Sequence, residues 1–265
     1  MKNLLRGVSP SARYAVLGDP IGHSLSPKIQ QAALRACGLP GEYVPLRVPS
    51  GSCGEVLSLL AEQGWIGANI TVPLKTEALE WCQDCSVEAR EIGAVNTVLF
   101  ADRRGLNTDG PGFLRTLPDL TAPRALILGA GGAARAVAWA LRQRGWPFFI
   151  WNRSPSRAEQ LAEEFGGQML PTPEVDVGDF NLVVNTTSAG LHGQALPVHW
   201  PTKGGGLALD ISYGRELSPF LRSAAAFSWS VQDGRAMLLE QGALAFEAWT
   251  GLPAPREVMA REIEI

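Results

Sequence analysis

Short apolar runs alternate with amphipathic stretches along the whole chain, a rhythm that predicts alternating strands and helices. In the first third, residues 14–17, 43–48 and 68–72 are apolar or alternating runs of strand length, while 27–36 and 55–63 carry helical spacing. Ser26 stands where an N-cap belongs, and Pro73 where a third helix running through Trp81 would open. Residues 94–100 are expected to pair with the segment from Leu106 through a turn at 102–105. The unit this predicts is mostly parallel with an antiparallel edge.

The rhythm sharpens after Arg124. An apolar run at 125–128 breaks into Gly129-Ala130-Gly131-Gly132, then into the small, helix-favouring residues from Ala133 to Leu141. A second apolar run, 148–151, ends in Asn152-Arg153-Ser154. Strand, glycine turn, helix and strand in that order make half of a dinucleotide-binding, Rossmann-type fold. A helix at 157–165 and strands at 182–185, 207–211 and 231–232 continue it. After Gly234, apolar positions at 237, 238, 239, 244, 246 and 249 predict one amphipathic helix with an interruption at Gly242. That helix is expected to pack back on the first unit. The expected architecture is therefore α/β with two domains: residues 1–110 plus 236–265, and a doubly wound nucleotide domain at 111–235.

The glycine turn also says what is bound. Gly129 permits the tight turn, Gly131 leaves room for a pyrophosphate, and the free N–H groups of the following helix can hold its charge. A site for NAD ends its second strand in Asp or Glu, which accepts from the ribose 2′-hydroxyl. Here Asn152-Arg153-Ser154 offers a guanidinium and a hydroxyl instead, and both suit a 2′-phosphate. The reading is NADP.

Composition narrows the rest. With 265 residues, 46% hydrophobic, 18% charged and a formal charge of −3, the chain has room for real cores and no general attraction to nucleic acid. No apolar run reaches the length of a membrane span, and the start of the chain does not read as a signal peptide, so the cytoplasm is the expected compartment. Cys82 and Cys85 form a C-x-x-C pair without a second pair at ligand spacing, so no metal is expected.

Four segments of the first unit are more polar than a scaffold requires. Gly22-His23-Ser24-Leu25-Ser26-Pro27 precedes a helix, where anions are favoured; capping would explain Ser26 but not Ser24. In Asn69-Ile70-Thr71-Val72-Pro73-Leu74-Lys75 the two polar residues alternate with apolar ones and so share a strand face, and Lys75 sits in a helix's first turn, where the dipole disfavours a cation. Ile92–Thr97 contributes Asn96, and Gly105–Gly110 contributes Asp109 at the expected domain crossing.

These segments, with G-A-G-G-A-A-R-A, N-R-S, N-T-T-S-A-G-L and M-L-L-E-Q-G-A, resemble the shikimate dehydrogenase family in order and spacing over residues 16–251. The resemblance implies NADP-linked, reversible reduction of 3-dehydroshikimate to shikimate on the route to chorismate and the aromatic amino acids. It implies Lys75 and Asp109 as the catalytic pair, and Ser24 and Ser26 for the substrate carboxylate. Thr71, Asn96, Asp109 and Gln241 would hold the ring hydroxyls, with Tyr213 nearby, and Asn69 would be a further substrate-binding residue. Gly129, Ala130, Gly131, Gly132 and Ala133 would form the phosphate turn, and Asn152, Arg153 and Ser154 the ribose end. Thr187 and Ile211 would complete the cofactor pocket, and Gly234 and Met237 would meet the nicotinamide.

The chemistry agrees: hydride transfer to a ketone builds charge on oxygen, which a nearby ammonium can stabilise and protonate. Two departures are conservative, Ile70 for the family's usual Val and Ser154 for its frequent Thr. A third is not, because the family's Pro shortly after Tyr213 is missing. Alternatives on the same scaffold are a dual quinate/shikimate dehydrogenase and a catalytically silent NADP-binding regulator. The partner expected is a small molecule, with no nucleic acid and no membrane, for a monomer or homodimer.

Overall fold

The computed structural model describes residues 7–189, 194–201 and 205–265. The chain divides into two compact units, Met1–Gly112 with Leu238–Ile265, and Phe113–Met237.

The first unit is built on six strands, β1 (Ala12–Gly18), β2 (Glu42–Arg47), β3 (Gly67–Ile70), β4 (Asp84–Cys85), β5 (Thr97–Leu99) and β6 (Arg104–Leu106), in the order β2-β1-β3-β5-β6-β4. β1 runs parallel to β2 and β3, whereas β5 is antiparallel to both β3 and β6. The reversed strand thus lies inside the sheet and not at the edge expected from sequence. The tight connection through Arg103, at φ 52°, folds β6 back on β5, and β5 offers its other side to β3. Helices α1 (Ser26–Ala36), α2 (Cys53–Glu62), α3 (Lys75–Trp81) and α4 (Val87–Ile92) connect these strands, and α5 (Asp109–Thr116) follows β6. Leu17, Leu57, Leu60, Ile70 and Leu74 are fully or almost fully buried in the resulting core. Each such side chain stabilises the fold by about 2 kcal/mol.

Three local expectations change. Ser26 is not the cap of α1 but its first residue; Leu25 holds the cap position, and the backbone N–H of Ser26 donates to Ser24 Oγ at 3.3 Å. Pro73 does not open α3, which begins two residues later at Lys75 after a cis Val72–Pro73 peptide. β3 ends at Ile70, so Asn69 lies in the strand and Thr71 beyond it.

The second unit holds β7 (Ala125–Leu128), β8 (Phe148–Trp151), β9 (Gln168–Met169), β11 (Leu182–Asn185), β13 (Leu207–Asp210) and β14 (Ser230–Gln232). A separate parallel pair is formed by β10 (Val175–Asp176) and β12 (Val198–His199). The main sheet is wholly parallel in the order β14-β13-β11-β7-β8-β9, with α6 (Gly132–Gln143), α7 (Pro155–Phe165) and α8 (Pro219–Ala226) as its helices. This is a doubly wound sheet whose order reverses between β7 and β11, and ligands of such sheets gather outside the strand ends at that reversal. Every residue of β7 and β11 is buried, as strands covered on both faces require. Trp200 packs on Trp229 and Phe220 at centroid distances of 5.0 and 5.4 Å in the core beneath.

Two more helices, α9 (Arg235–Thr250) and α10 (Arg256–Arg261), bring the chain back to the first unit. α9 runs through Gly242 without the expected interruption. A Cβ there would meet Ile29 Cδ1 at 2.7 Å, and Gln30 Nε2 donates to the Gly242 carbonyl at 2.8 Å, so the glycine serves the close approach of α1.

Candidate active site

Lys75 and Asp109 meet. Lys75 Nζ donates to Asp109 Oδ2 at 2.6 Å, with only 15% and 12% of the two side chains exposed. Each is the first residue of its helix, α3 and α5. An acidic residue suits that place and a cation does not, so the carboxylate offsets the unfavourable position of the ammonium. Asn107 fixes Asp109 from below: its Oδ1 accepts from the backbone N–H groups of Asp109 and Gly110, while its Nδ2 donates to the Ala94 carbonyl. The Val95 N–H donates to the Lys75 carbonyl, so both members of the pair are tied to the same stretch before β5.

Next to Asp109 lies a buried polar network. Asn96 Oδ1 accepts from the Thr108 N–H at 2.7 Å, and Asn96 Nδ2 donates to Thr108 Oγ1 at 3.0 Å. Asn69 Nδ2 donates to the Asn96 carbonyl and to Thr97 Oγ1, and Asn69 Oδ1 accepts from the Tyr43 hydroxyl. Both amide hydrogens of Asn69 are thereby engaged inside the protein, and the residue braces Asn96. One Asn96 amide hydrogen has no partner among the described residues after the Thr108 bond.

The other expected residues have definite places. Thr71 follows β3, its N–H donating to the Leu17 carbonyl, and its methyl fills the space that a Cβ on Gly18 would take. Gln241 is buried beside α5: a Cβ on Gly112 would come within 2.8 Å of its backbone nitrogen. Ser24 and Ser26 share the turn entering α1, the helix that Gln30 ties to Gly242 beside Gln241. Tyr213 belongs to the second unit, in the stretch between β13 and α8.

In the second unit the glycine turn sits at the sheet's reversal. Gly129 has φ 114°, and a Cβ there would lie 2.5 Å from Thr186 Oγ1, so only glycine fits. At Gly131 and Gly132 a Cβ would meet nothing within 4 Å. Their lack of side chains is unrelated to packing, and it leaves a bare approach to the N-terminus of α6, where Gly131 offers no side-chain cap. Uncapped N–H groups and bare backbone are what a pyrophosphate requires. Arg153 and Ser154 are exposed at the tip of β8, and Asn152 Nδ2 donates to the Ser154 carbonyl. A cavity of about 750 Å³ opens there, lined among others by Trp151, Asn152, Arg153, Thr172 and Thr187. A donor set of amide N–H groups, one guanidinium and hydroxyls, with no carboxylate at the strand tip, fits NADP. Ile211 and Gly234 come together at the ends of β13 and β14, where a Cβ on Gly234 would overlap the Ile211 carbonyl. Met237, Ala130 and Ala133 flank these two turns in sequence, at the start of α9 and around the entry to α6.

Family models described as the shikimate dehydrogenase substrate binding domain, shikimate/quinate 5-dehydrogenase and the shikimate 5′-dehydrogenase C-terminal domain match residues 16–98, 114–222 and 234–264. The NADP(+)-dependent shikimate dehydrogenase of Thermus thermophilus is 45% identical, over 94% of this chain and 97% of that protein. The chain belongs to the shikimate dehydrogenase family. The crystal structure of the T. thermophilus shikimate 5-dehydrogenase in complex with NADP(H) and shikimate matches with a TM-score of 0.87 at 42% identity, covering 96% of this chain and 98% of that one. The ligand-free 5-ketofructose reductase of a Gluconobacter strain matches with a TM-score of 0.83 at 29% identity, covering 96% and 98%.

For this shikimate dehydrogenase family member, sequence reasoning missed Asn107, Asn185 and Asp210, none of which was assigned a role. Asn107 carried a usable signal, an Asn two residues before an acidic residue at a helix start. Asn185 and Asp210 carried another: each is a polar residue closing an apolar parallel strand. Of the two C-x-x-C thiols, Cys82 is pushed up to about 12, first by burial, and is no thiolate.

Proposed function

We propose that this protein is an NADP-dependent shikimate dehydrogenase, reversibly reducing 3-dehydroshikimate to shikimate. The observation that carries the reading is the buried Lys75–Asp109 pair, set in a chain 45% identical to a shikimate dehydrogenase over nearly its whole length. NADP, when bound, supplies or accepts the hydride.

In the reducing direction Lys75 Nζ donates a proton to the carbonyl oxygen as charge develops there, and in the oxidising direction the same atom receives the hydroxyl proton. Asp109 Oδ2 accepts from Nζ throughout and aims it. The low exposure of both side chains strengthens that attraction by excluding water. Ser24 and Ser26, at the entrance to α1, bind the substrate carboxylate. Thr71, Gln241 and the remaining Asn96 amide hydrogen serve its ring hydroxyls, with Tyr213 as a further contact.

In the second unit the α6 N-terminus with Gly131 and Gly132 holds the pyrophosphate, and Asn152, Arg153 and Ser154 the 2′-phosphate. Thr187, Ile211, Gly234 and Met237 complete the pocket toward the nicotinamide. The same reading puts the enzyme in the cytoplasm, on the route to chorismate and the aromatic amino acids, as a monomer or homodimer. No helix among the described residues is long and apolar enough to cross a membrane.

Quinate is the second candidate substrate, because the family model over residues 114–222 is described for shikimate and quinate 5-dehydrogenases together. The test is product identification. Shikimate incubated with the protein and NADP should lose two hydrogens and yield the conjugated ketone, one molecule for each NADPH formed. NADP reduction without that ketone would overturn the assignment.

A further inference from the structure

The two adjacent strands β11 and β13 end in register on polar residues, Asn185 opposite Asp210, and both side chains are fully buried. Asn185 Nδ2 donates to Asp210 Oδ2 at 2.9 Å. Each then reaches into the loop that follows its own strand. Asn185 Oδ1 accepts from the Thr187 N–H at 3.0 Å and from Thr187 Oγ1 at 2.7 Å. Asp210 Oδ1 accepts from the Ser212 N–H at 2.9 Å and from Ser212 Oγ at 2.7 Å, and its Oδ2 accepts from Ser218 Oγ at 2.6 Å. Four donors thus converge on one carboxyl group, and no Lys or Arg is paired with it among the described residues.

Such an arrangement is expensive. A buried carboxyl served by neutral donors stabilises a fold less than two apolar side chains of the same shape would. The strands themselves do not need it, since β7, β11 and β13 are joined by regular parallel pairing along their whole length. What the pair does is fix two loops against each other at the carboxyl ends of neighbouring strands, where a doubly wound sheet places its ligand. One loop carries Thr187, which touches the space above Gly129 and lines the 750 Å³ cavity. The other carries Ile211 and Tyr213, and the Ser212 carbonyl accepts from the Gly234 N–H at 3.0 Å.

We infer that Asn185 and Asp210 are positioning residues that set the Thr187 loop and the 211–218 loop jointly for NADP, a role that rests on the proposed function. Neither touches the reacting atoms; they act through Thr187 and Ser212.

The hydrogen-bond polarity supplies the test. Asp210→Asn can set an amide donor against the Asn185 amide donor, and Asn185→Asp sets carboxyl against carboxyl. The reciprocal double variant, Asn185→Asp with Asp210→Asn, can remake all the bonds except that of Ser218: the new amide donates across, and each remaining oxygen keeps its loop donors. NADP affinity, measured by quenching of intrinsic tryptophan fluorescence, and thermal midpoint are read for the parent and every variant. Ser212→Ala, which deletes a single hydroxyl, is the variant that folds if the buried singles do not.

Each single variant should weaken NADP binding at least tenfold, the reciprocal double should return to within about threefold of the parent, and Ser212→Ala should weaken it about fivefold. The inference is overturned if the variants that fold bind NADP like the parent, or if the double is as weak as the worse single. A parent that fails to bind NADP at all overturns the proposed function instead.

Discussion

Gly129 and Gly131 should respond to the same substitution in opposite ways. At Gly129 the backbone φ of 114° disfavours any side chain, and an added methyl would meet Thr186 Oγ1 at 2.5 Å and Thr187 Cγ2 at 3.1 Å. The strain costs about 1–3 kcal/mol and the overpacking a similar amount, so Gly129→Ala should destabilise by roughly 2–6 kcal/mol. At about 3 °C per kcal/mol this is a fall of roughly 6–18 °C in Tm. At Gly131 the backbone is extended, φ −95° and ψ −171°, which alanine adopts freely, and an added Cβ finds nothing within 4 Å. Gly131→Ala should therefore leave Tm within about 2 °C of the parent, or raise it slightly by restricting the unfolded chain. Its cost falls on the ligand: the methyl occupies the approach to the α6 N–H groups, and NADP Kd should rise roughly 10- to 100-fold. Differential scanning calorimetry and an NADP titration on the two variants measure both quantities. A large fall in Tm for Gly131→Ala, or unchanged NADP affinity, would refute the idea that this glycine is bare for the ligand's sake.

Lys75→Met should lower kcat for shikimate by about 10²- to 10⁴-fold while KM moves less than about tenfold; the reverse pattern would make Lys75 a binding residue only. Because 12–15% of the paired side chains is exposed, the accompanying loss of stability is discounted to roughly 1–3 kcal/mol, below that of a fully buried pair. Arg153→Ala should raise NADP Kd roughly 10- to 100-fold and NAD Kd less than about threefold, as loss of a charge-assisted phosphate contact requires; equal losses would remove Arg153 from the 2′-phosphate. Glu77 accepts from the Gly51 N–H, and also from the Cys53 N–H and Ser50 Oγ, which holds its carboxyl below the ordinary glutamate value against the opposing effect of burial. A carboxyl lowered by folding stabilises the protein above its unfolded pKa and loses that contribution as pH falls through the folded one. Glu77→Gln should thus lower Tm by roughly 1–3 °C at neutral pH, with the gap to the parent closing below about pH 4.3; a gap independent of pH would exclude the carboxylate.

Strands at 125–128, 148–151 and 182–185 stand in the structure with the bounds their apolar runs predict. Each is part of a sheet interior, so burial rather than alternation marks it. The two-residue strands β4, β9, β10 and β12 have no run long enough to read. α4 was missed because six residues show no helical period, although Ser86 caps it and Gly93 ends it in the left-handed region at φ 72°. α5 is hidden by Gly110, Pro111 and Gly112, residues that weaken any helical pattern at the domain crossing; the helix forms because Asn107 satisfies its first N–H groups and Gly112 makes room for Gln241. The site was legible as residue types more than as geometry. Lys75 and Asp109 lie 34 positions apart, and only the family resemblance joined them before the hydrogen bond was seen. Asn69 shows what alternation leaves out: the pattern places it on a face with Thr71, but its bonds to Tyr43 and Thr97, 26 and 28 positions away, are visible only in the fold.

The most direct test of the central claim is a steady-state comparison of kcat/KM for four pairings, shikimate or quinate with NADP or NAD, on the full chain. The account predicts that shikimate with NADP exceeds each of the other three by at least about tenfold, the discrimination expected of a site built for one 2′-phosphate. Comparable turnover of quinate, equal use of NAD, or no turnover of either acid despite NADP binding would contradict it.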